Sequence, residues 1–222
     1  MADPHDHYYD NPDDYAWLME QILLHETVQA ADLGRELARR KRPRYVIDFG
    51  CGPGIYLLPF RHSGAQIFGV DACAAGGELL APDEFQLVDL RKFWRHERVA
   101  LVVPGPLGPP LPSWRFDLAL CIEVAEHLRE SDADVLVETI TANSRSCFFS
   151  AAYQMPDGSP QGGEGHFNLK PQSWWREKFV KQGWDLDPVN ADLQNYLQVR
   201  EAYEHCGWLR WNGMLLSETR RS

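Results

Sequence analysis

The chain runs to 222 residues, 44% of them hydrophobic, with a formal net charge of −10, which suits one domain with appendages and a real core. That acidity argues against a partner with a phosphate backbone, because such binding is driven by basic surfaces and counterion release. No apolar run approaches the ~18 residues of a membrane span, the polar start Met1-Ala2-Asp3-Pro4-His5 lacks a signal-peptide core, and the five cysteines form no C-x-x-C pair; a cytoplasmic protein with free thiols is expected, without zinc knuckle, disulfide framework or membrane contact.

In chain order, residues 1–14 are rich in His, Asp, Tyr and Pro and read as an irregular arm. From Tyr15 to Arg42 apolar residues recur at helical spacing (Leu18, Ile22, Leu23, Val28, Ala31, Leu33, Leu37), predicting one or two helices stopped by Pro43. The basic cluster 39–44 then falls at a helix C-terminus, where cations suit the dipole. Strands are expected over 45–49, 65–70, 85–88, 116–122 and 147–151, with helices over 55–62, 72–80, 91–96, 132–143 and 171–182. Such alternation is the signature of a parallel sheet covered on both faces. The proline-rich stretch 98–114 reads as an insertion loop, after a short edge strand at 99–103. Residues 208–217, which hold Trp211-Asn212-Gly213-Met214-Leu215-Leu216, read as a final strand. The chain thus divides into an arm with lid helices (1–43) and a main domain (44–222).

The chemistry concentrates in Val46-Ile47-Asp48-Phe49-Gly50-Cys51-Gly52-Pro53-Gly54 and in the isolated acid Asp71. Three glycines at alternate positions after a strand let the backbone turn sharply and approach a ligand closely. An acid at the tip of the next strand is the usual partner of ribose hydroxyls. A dinucleotide site wants its third glycine three positions after the second, where this chain has Ile55. Asp48, just before the loop, suits a cofactor carrying a cation such as a sulfonium or an α-ammonium group.

D-F-G-C-G-P-G resembles the first motif of class I S-adenosylmethionine (SAM)-dependent methyltransferases. The resemblance extends from Tyr45 to Ser217 and adds Val88-Asp89-Leu90 and the fourth-strand run Phe116-Asp117-Leu118-Ala119-Leu120-Cys121-Ile122-Glu123-Val124-Ala125-Glu126-His127-Leu128. It implies a Rossmann-like α/β fold: a seven-stranded, mostly parallel sheet with an antiparallel final strand, helices on both faces and an N-terminal helical lid. It also implies SAM binding by Asp48, Gly50, Cys51, Gly52, Gly54, Asp71, Ala72, Asp89, Leu90 and Glu123.

Glu123-Val124-Ala125-Glu126-His127 starts at a strand tip, the ligand edge of an open α/β sheet. His166 lies in a glycine-flanked loop after the fifth strand and can join it. His127, His166 and Glu123 are therefore the catalytic candidates, with a histidine as general base. Ubiquinone-pathway O-methyltransferases and small-RNA 2′-O-methyltransferases, which share E-x-x-E-H, use it for a metal. That resemblance implies an alternative in which Glu123, Glu126, His127 and His166 hold Mg²⁺ or Mn²⁺. Elsewhere the same motif merely opens a helix. Trp174, Trp175, Trp184 and Trp208 read as packing, and Tyr8, Tyr9, Tyr15 and Tyr153 as lid or substrate contacts. The expected reaction is methyl transfer from SAM to a small-molecule hydroxyl. The alternatives are a metal-dependent RNA 2′-O-methyltransferase, a SAM-binding module without catalysis, and an NAD-dependent oxidoreductase.

Overall fold

The computed structural model describes residues 12–73, 76–90, 115–155, 157–159, 161, 165–203 and 207–219, with side chains from Ala16 onward. Seven strands form one sheet: β1 (Tyr45–Phe49), β2 (Gln66–Asp71), β3 (Phe85–Leu87), β4 (Leu118–Ile122), β5 (Ser146–Ser150), β6 (Trp184–Leu186) and β7 (Met214–Glu218). Their order is β3-β2-β1-β4-β5-β7-β6. Only β7 runs antiparallel to its neighbours. The described helices are α1 (Pro12–Lys41), α2 (Leu58–His62), α3 (Ala133–Asn143), α4 (Gln172–Lys181), α5 (Asn190–Val199) and α6 (Trp208–Asn212).

Period-two alternation puts two cores on the two faces of this sheet. Ile47, Phe49, Phe68, Ala119 and Phe149 face α3 and α4 through Leu136, Ile140, Trp175 and Phe179. Val46, Ile67, Leu118, Leu120 and Phe148 face the other way, onto Leu33 and Leu37 of α1, Phe60 of α2, and Leu193 and Leu197 of α5. Burying Leu33 and Leu37 stabilises this layer by about 1.5–3 kcal/mol each.

The helical period in the first forty residues resolves into a single helix, about 45 Å long at 1.5 Å per residue. Its second half is locked to the body. Asp32 accepts from Tyr196 (3.1 Å), Arg200 (2.7 Å) and Tyr203 (3.1 Å). Lys41 donates to Asp187 at 2.6 Å. At the basic end, Arg39 (exposed) and Arg40 both turn back onto the buried Glu36. α1 therefore shares a core with the sheet, although the sequence groups it with the arm.

Three expectations are corrected. The helix expected over 72–80 is absent from described residues 76–80, which form turns. Gly77 takes φ +70 and donates its N–H to the Gly52 carbonyl, and Leu79 donates to Pro53. The paired glycines fold this segment back onto the loop instead of extending it. Within 208–217 the first half is helix α6, and the strand starts only after Gly213. A Cβ there would stand 2.6 Å from the Leu209 carbonyl oxygen. The strand that the sequence did not indicate is β6, Trp184–Leu186, three residues at the sheet edge and too short to show a period. The edge strand at 99–103, the insert 98–114 and the helix at 91–96 lie outside the described residues. Among the described residues, no helix is long and apolar enough to cross a membrane.

Candidate functional site

Strand order reverses between β1 and β4, and the carboxyl ends of β1, β2 and β4 open onto one cavity. Ligands of open α/β sheets bind at such a switch point. The sequence candidates Asp48, Gly50, Cys51 and Gly52 line it from β1 and the loop, and Asp71, Ala72, Asp89 and Leu90 from β2 and beyond β3. Glu123 and His127 line it from the end of β4, and α1 closes it with Leu18, Met19, Ile22 and Glu26.

The glycines divide their labour. Gly50, at φ +78, has no room for a side chain, since a Cβ would stand 2.4 Å from Val124. Gly52, at φ +51, faces α1, and a Cβ on it would reach Met19 and Ile22 at 3.7–3.8 Å, ordinary contact distance. Gly54 lies off the cavity, packed against Leu80. Asp71 organises the loop: its carboxylate accepts from the Gly52 N–H at 2.9 Å and the Cys73 N–H at 3.0 Å.

Asp48 is the electrostatic anomaly. It is buried, and its Oδ1 has no hydrogen-bond partner among the described residues. Burial, reinforced by the Asp71 carboxylate, pushes its pKa up to about 7. A desolvated carboxylate without a cation is costly, so this wall fits a positively charged ligand, and SAM is one. The glycine loop, the room above Gly52 and the acid at the tip of β2 fit the rest of that cofactor.

At the end of β4, Glu123 takes φ +53, rare and strained for a residue with a side chain. Burial raises its pKa, against hydrogen bonds that include one from Asn212 Nδ2 at 3.3 Å. Asn212 also donates to Gln161 Oε1 (2.9 Å), which accepts in turn from the Tyr153 N–H (3.2 Å). Tyr153 thus connects to Glu123 through two amides rather than by lining the cavity.

Glu126 is the middle residue of a short 3-10 turn, Ala125–His127, and is fully buried. Its Oε1 accepts from the Ala152 N–H, and its carbonyl accepts from Phe167 and Asn168. It holds the end of β5 and the His166 loop against β4. Burial and the Glu123 carboxylate raise its pKa.

His127 Nδ1 lies 3.0 Å from the Gly165 carbonyl oxygen and His166 Nδ1 lies 2.8 Å from that of Gln161. A carbonyl only accepts, so each Nδ1 carries the proton and each Nε2 the lone pair. The rings meet edge to face with centroids 4.7 Å apart. Burial, helped by His166, lowers the His127 pKa to about 4. Glu126, His127 and His166 bring ligand atoms within 4.8 Å of one another; Glu123 stands outside this group.

Sequence reasoning missed Glu26, Tyr56 and Asn212. Tyr56 Oη donates to Glu26 Oε2 at 2.8 Å, and burial pushes Glu26 up to about 7 against that bond. The helical spacing 18–22–26 carried a signal for Glu26, one turn beyond Ile22 on the same face. Asn212 had none, because its segment read as strand. Tyr8 and Tyr9 lie outside the described residues, as does the side chain of Tyr15. Among the described residues Cys51, Cys73, Cys121 and Cys147 are free thiols.

Known proteins share this fold. BpumL, a plantazolicin methyltransferase solved with SAH and a monoazolic desmethylPZN analog, matches with a TM-score of 0.60 at 12% identity, over 97% of this chain and 94% of its own. CalS10, an amino pentose methyltransferase from Micromonospora echinaspora solved with SAM, gives 0.60 at 14%, over 94% and 97%. Identities so low show the fold alone. Ubiquinone biosynthesis O-methyltransferases of Rhodopseudomonas palustris (strain TIE-1) and Bradyrhizobium sp. (strain ORS 278) are 32% and 33% identical over 91 residues. Each match covers 40% of this chain and 31% of the relative. The methyltransferase domain family matches residues 23–206. The chain belongs to that family, with the fold of the class I SAM-dependent methyltransferases.

Proposed function

We propose that this chain transfers the methyl group of SAM to a hydroxyl oxygen of a small molecule. The observation that carries the cofactor half is Asp48, a buried carboxylate with an unpartnered oxygen in the wall of a glycine-loop cavity. SAM supplies a methyl group on a positively charged sulfur, open to displacement by a nucleophile in line with the departing bond. The loop 50–53 and Asp71 bind and orient the cofactor, and Asp48 supplies the opposing charge. Met19 and Ile22 cover the loop and exclude water.

The acceptor half rests on the paired imidazoles. Both have Nδ1 turned to a backbone carbonyl, which leaves Nε2 as the atom to take a proton, and His127 lies on the cavity wall beside Glu123. We assign the pair to the acceptor hydroxyl: one Nε2 takes its proton as the oxygen attacks. Glu123 and Asn212 fix the acceptor's position. A small-molecule acceptor agrees with the net charge of −10, which disfavours RNA. Calorimetry with SAM and SAH tests the cofactor half, with NADH as control. Methyl transfer to a panel of phenols, sugars and amines tests the acceptor half; binding of NADH alone, or transfer to amines alone, overturns the corresponding half.

A second reading is favoured by one observation, the convergence of Glu126, His127 and His166 within 4.8 Å. Histidines whose Nδ1 atoms face backbone carbonyls have the orientation seen in metal ligands, and the Glu126 Oε2 lacks a hydrogen-bond partner among the described residues. One carboxylate and two imidazoles fit a divalent ion, which would lower the pKa of an acceptor hydroxyl. Loss of turnover on chelation, with SAH affinity unchanged, selects this reading over the metal-free base.

A further inference from the structure

The geometry points to Glu26, on the cavity face of α1, as the carboxylate that receives the α-ammonium group of the cofactor's methionine portion, an assignment that rests on the SAM reading above. Leu18, Ile22 and Glu26 follow one another at helical turns, and all three line the cavity. Glu26 is therefore aimed at the ligand rather than at solvent. Tyr56, two residues past Gly54, fixes its Oε2 with a 2.8 Å hydrogen bond, so the carboxylate is held in place over the end of the glycine loop.

Position along the cavity decides which part of the ligand it meets. Asp71 and Asp89 follow β2 and β3, which marks that side for the nucleoside. Glu26 instead stands on α1 over the end of the loop that leaves β1, held there by Tyr56, and the Glu123 carboxylate at the end of β4 helps to raise its pKa. The amino-acid end of the ligand falls there.

SAM carries two cations, a sulfonium and an ammonium. The sulfonium has no hydrogen to donate. The ammonium has three N–H donors and matches a carboxylate already oriented by a tyrosine. The desolvation that pushes Glu26 up to about 7 without a cation is offset once an ammonium sits beside it. The contact would also tie α1 to the ligand it covers, so that cofactor binding holds the helix in place.

The test is calorimetry of SAH and of its deaminated analogue, in which a CH₂ replaces the α-carbon bearing the ammonium, on wild type, Glu26→Gln and Tyr56→Phe. Wild type should prefer SAH by about 10–100-fold. Glu26→Gln should collapse that gap to under about threefold by losing SAH affinity, while its affinity for the analogue stays within about twofold. Tyr56→Phe keeps the carboxylate but loosens it. It should narrow the gap severalfold with the analogue unchanged, and it carries the test if Glu26→Gln fails to fold. Equal weakening of both ligands would assign Glu26 a structural role and overturn the assignment. Unchanged SAH affinity with reduced turnover would move Glu26 to the acceptor and overturn it as well. A wild-type chain that binds both ligands equally overturns this assignment alone, whereas one that binds neither overturns the cofactor reading too.

Discussion

The Gly52 N–H donates to Asp71 Oδ2 at 2.9 Å, so the acid at the tip of β2 holds the loop that leaves β1. The residue with the strongest claim to the ribose is also the one that shapes the methionine cradle. Its loss acts twice, through the ribose and through the loop. Asp71→Ala should weaken SAH by roughly 2–4 kcal/mol, whereas Asp71→Asn, which keeps an acceptor for one N–H, should recover about half. Calorimetry on both variants checks this, and equal losses would separate the loop from the binding effect.

Asp48 gives a stability prediction with a fixed sign. Its pKa is about 7 in the folded chain against an ordinary 3.8. Between those values the folded state holds a proton that the unfolded state has released. Stability without cofactor therefore falls as pH rises from about 4 to 7, and the penalty is complete above about 7. Glu26, raised to about 7, acts in the same sense. Asp48→Asn should stabilise the cofactor-free chain at pH 8 by about 1–3 kcal/mol and flatten this dependence. SAM affinity should fall at the same time, and in wild type it should rise with pH through 7. Thermal melts and calorimetry at pH 5.5 and 8 measure both.

The imidazole pair predicts a pH profile set by burial. His127, lowered to about 4, stays neutral through the physiological range. An activity that depends on neutral His127 should hold down to about pH 5 and fall below it. His127→Ala and His166→Ala should each lose about 10²–10⁴-fold in turnover with SAH affinity nearly unchanged. Turnover indifferent to both substitutions and to chelator would remove the pair from the chemistry and leave Glu126 and His127 as a structural turn.

Met19 and Ile22 predict a kinetic effect. Both stand over Gly52, where a Cβ would meet them at ordinary contact distance. Ile22→Ala removes cover without touching a polar contact, so SAH should weaken by about 1–2 kcal/mol, mainly through faster release. Stopped-flow displacement of a fluorescent analogue reads the rate directly.

The parts of this structure legible in the sequence are those where local chemistry and tertiary role coincide. The apolar run 45–49 ends in a glycine loop because a buried central strand and a ligand turn need those residues in that order. The tips of β2 and β4 were legible for the same reason. Illegible were the elements that tertiary context decides. β6 is a strand because β7 lies beside it, and α6 begins a segment whose apolar content resembles strand. Glu26 was hidden because a carboxylate in an amphipathic helix ordinarily marks the solvated face, and only the position of α1 over the loop turns it inward. Glu126 was visible as a ligand candidate, but its hydrogen bond to Ala152 connects segments 26 residues apart, beyond any local pattern.

The continuity of α1 constrains how the cavity exchanges its contents. Leu33, Leu37, Asp32 and Lys41 pin one end of the rod, while Met19, Ile22 and Glu26 roof the ligand from the other. A door normally swings on a hinge, and this rod has no proline, glycine pair or bulge between the two halves. Rotating it as a body would tear Leu33 and Leu37 from the sheet, at several kcal/mol. Fraying its first turns breaks only hydrogen bonds at a helix end, where opening costs least. Turnover is thereby linked to helix–coil equilibrium: substituting an exposed position such as Glu20 by glycine should hasten product release, and alanine there should slow it.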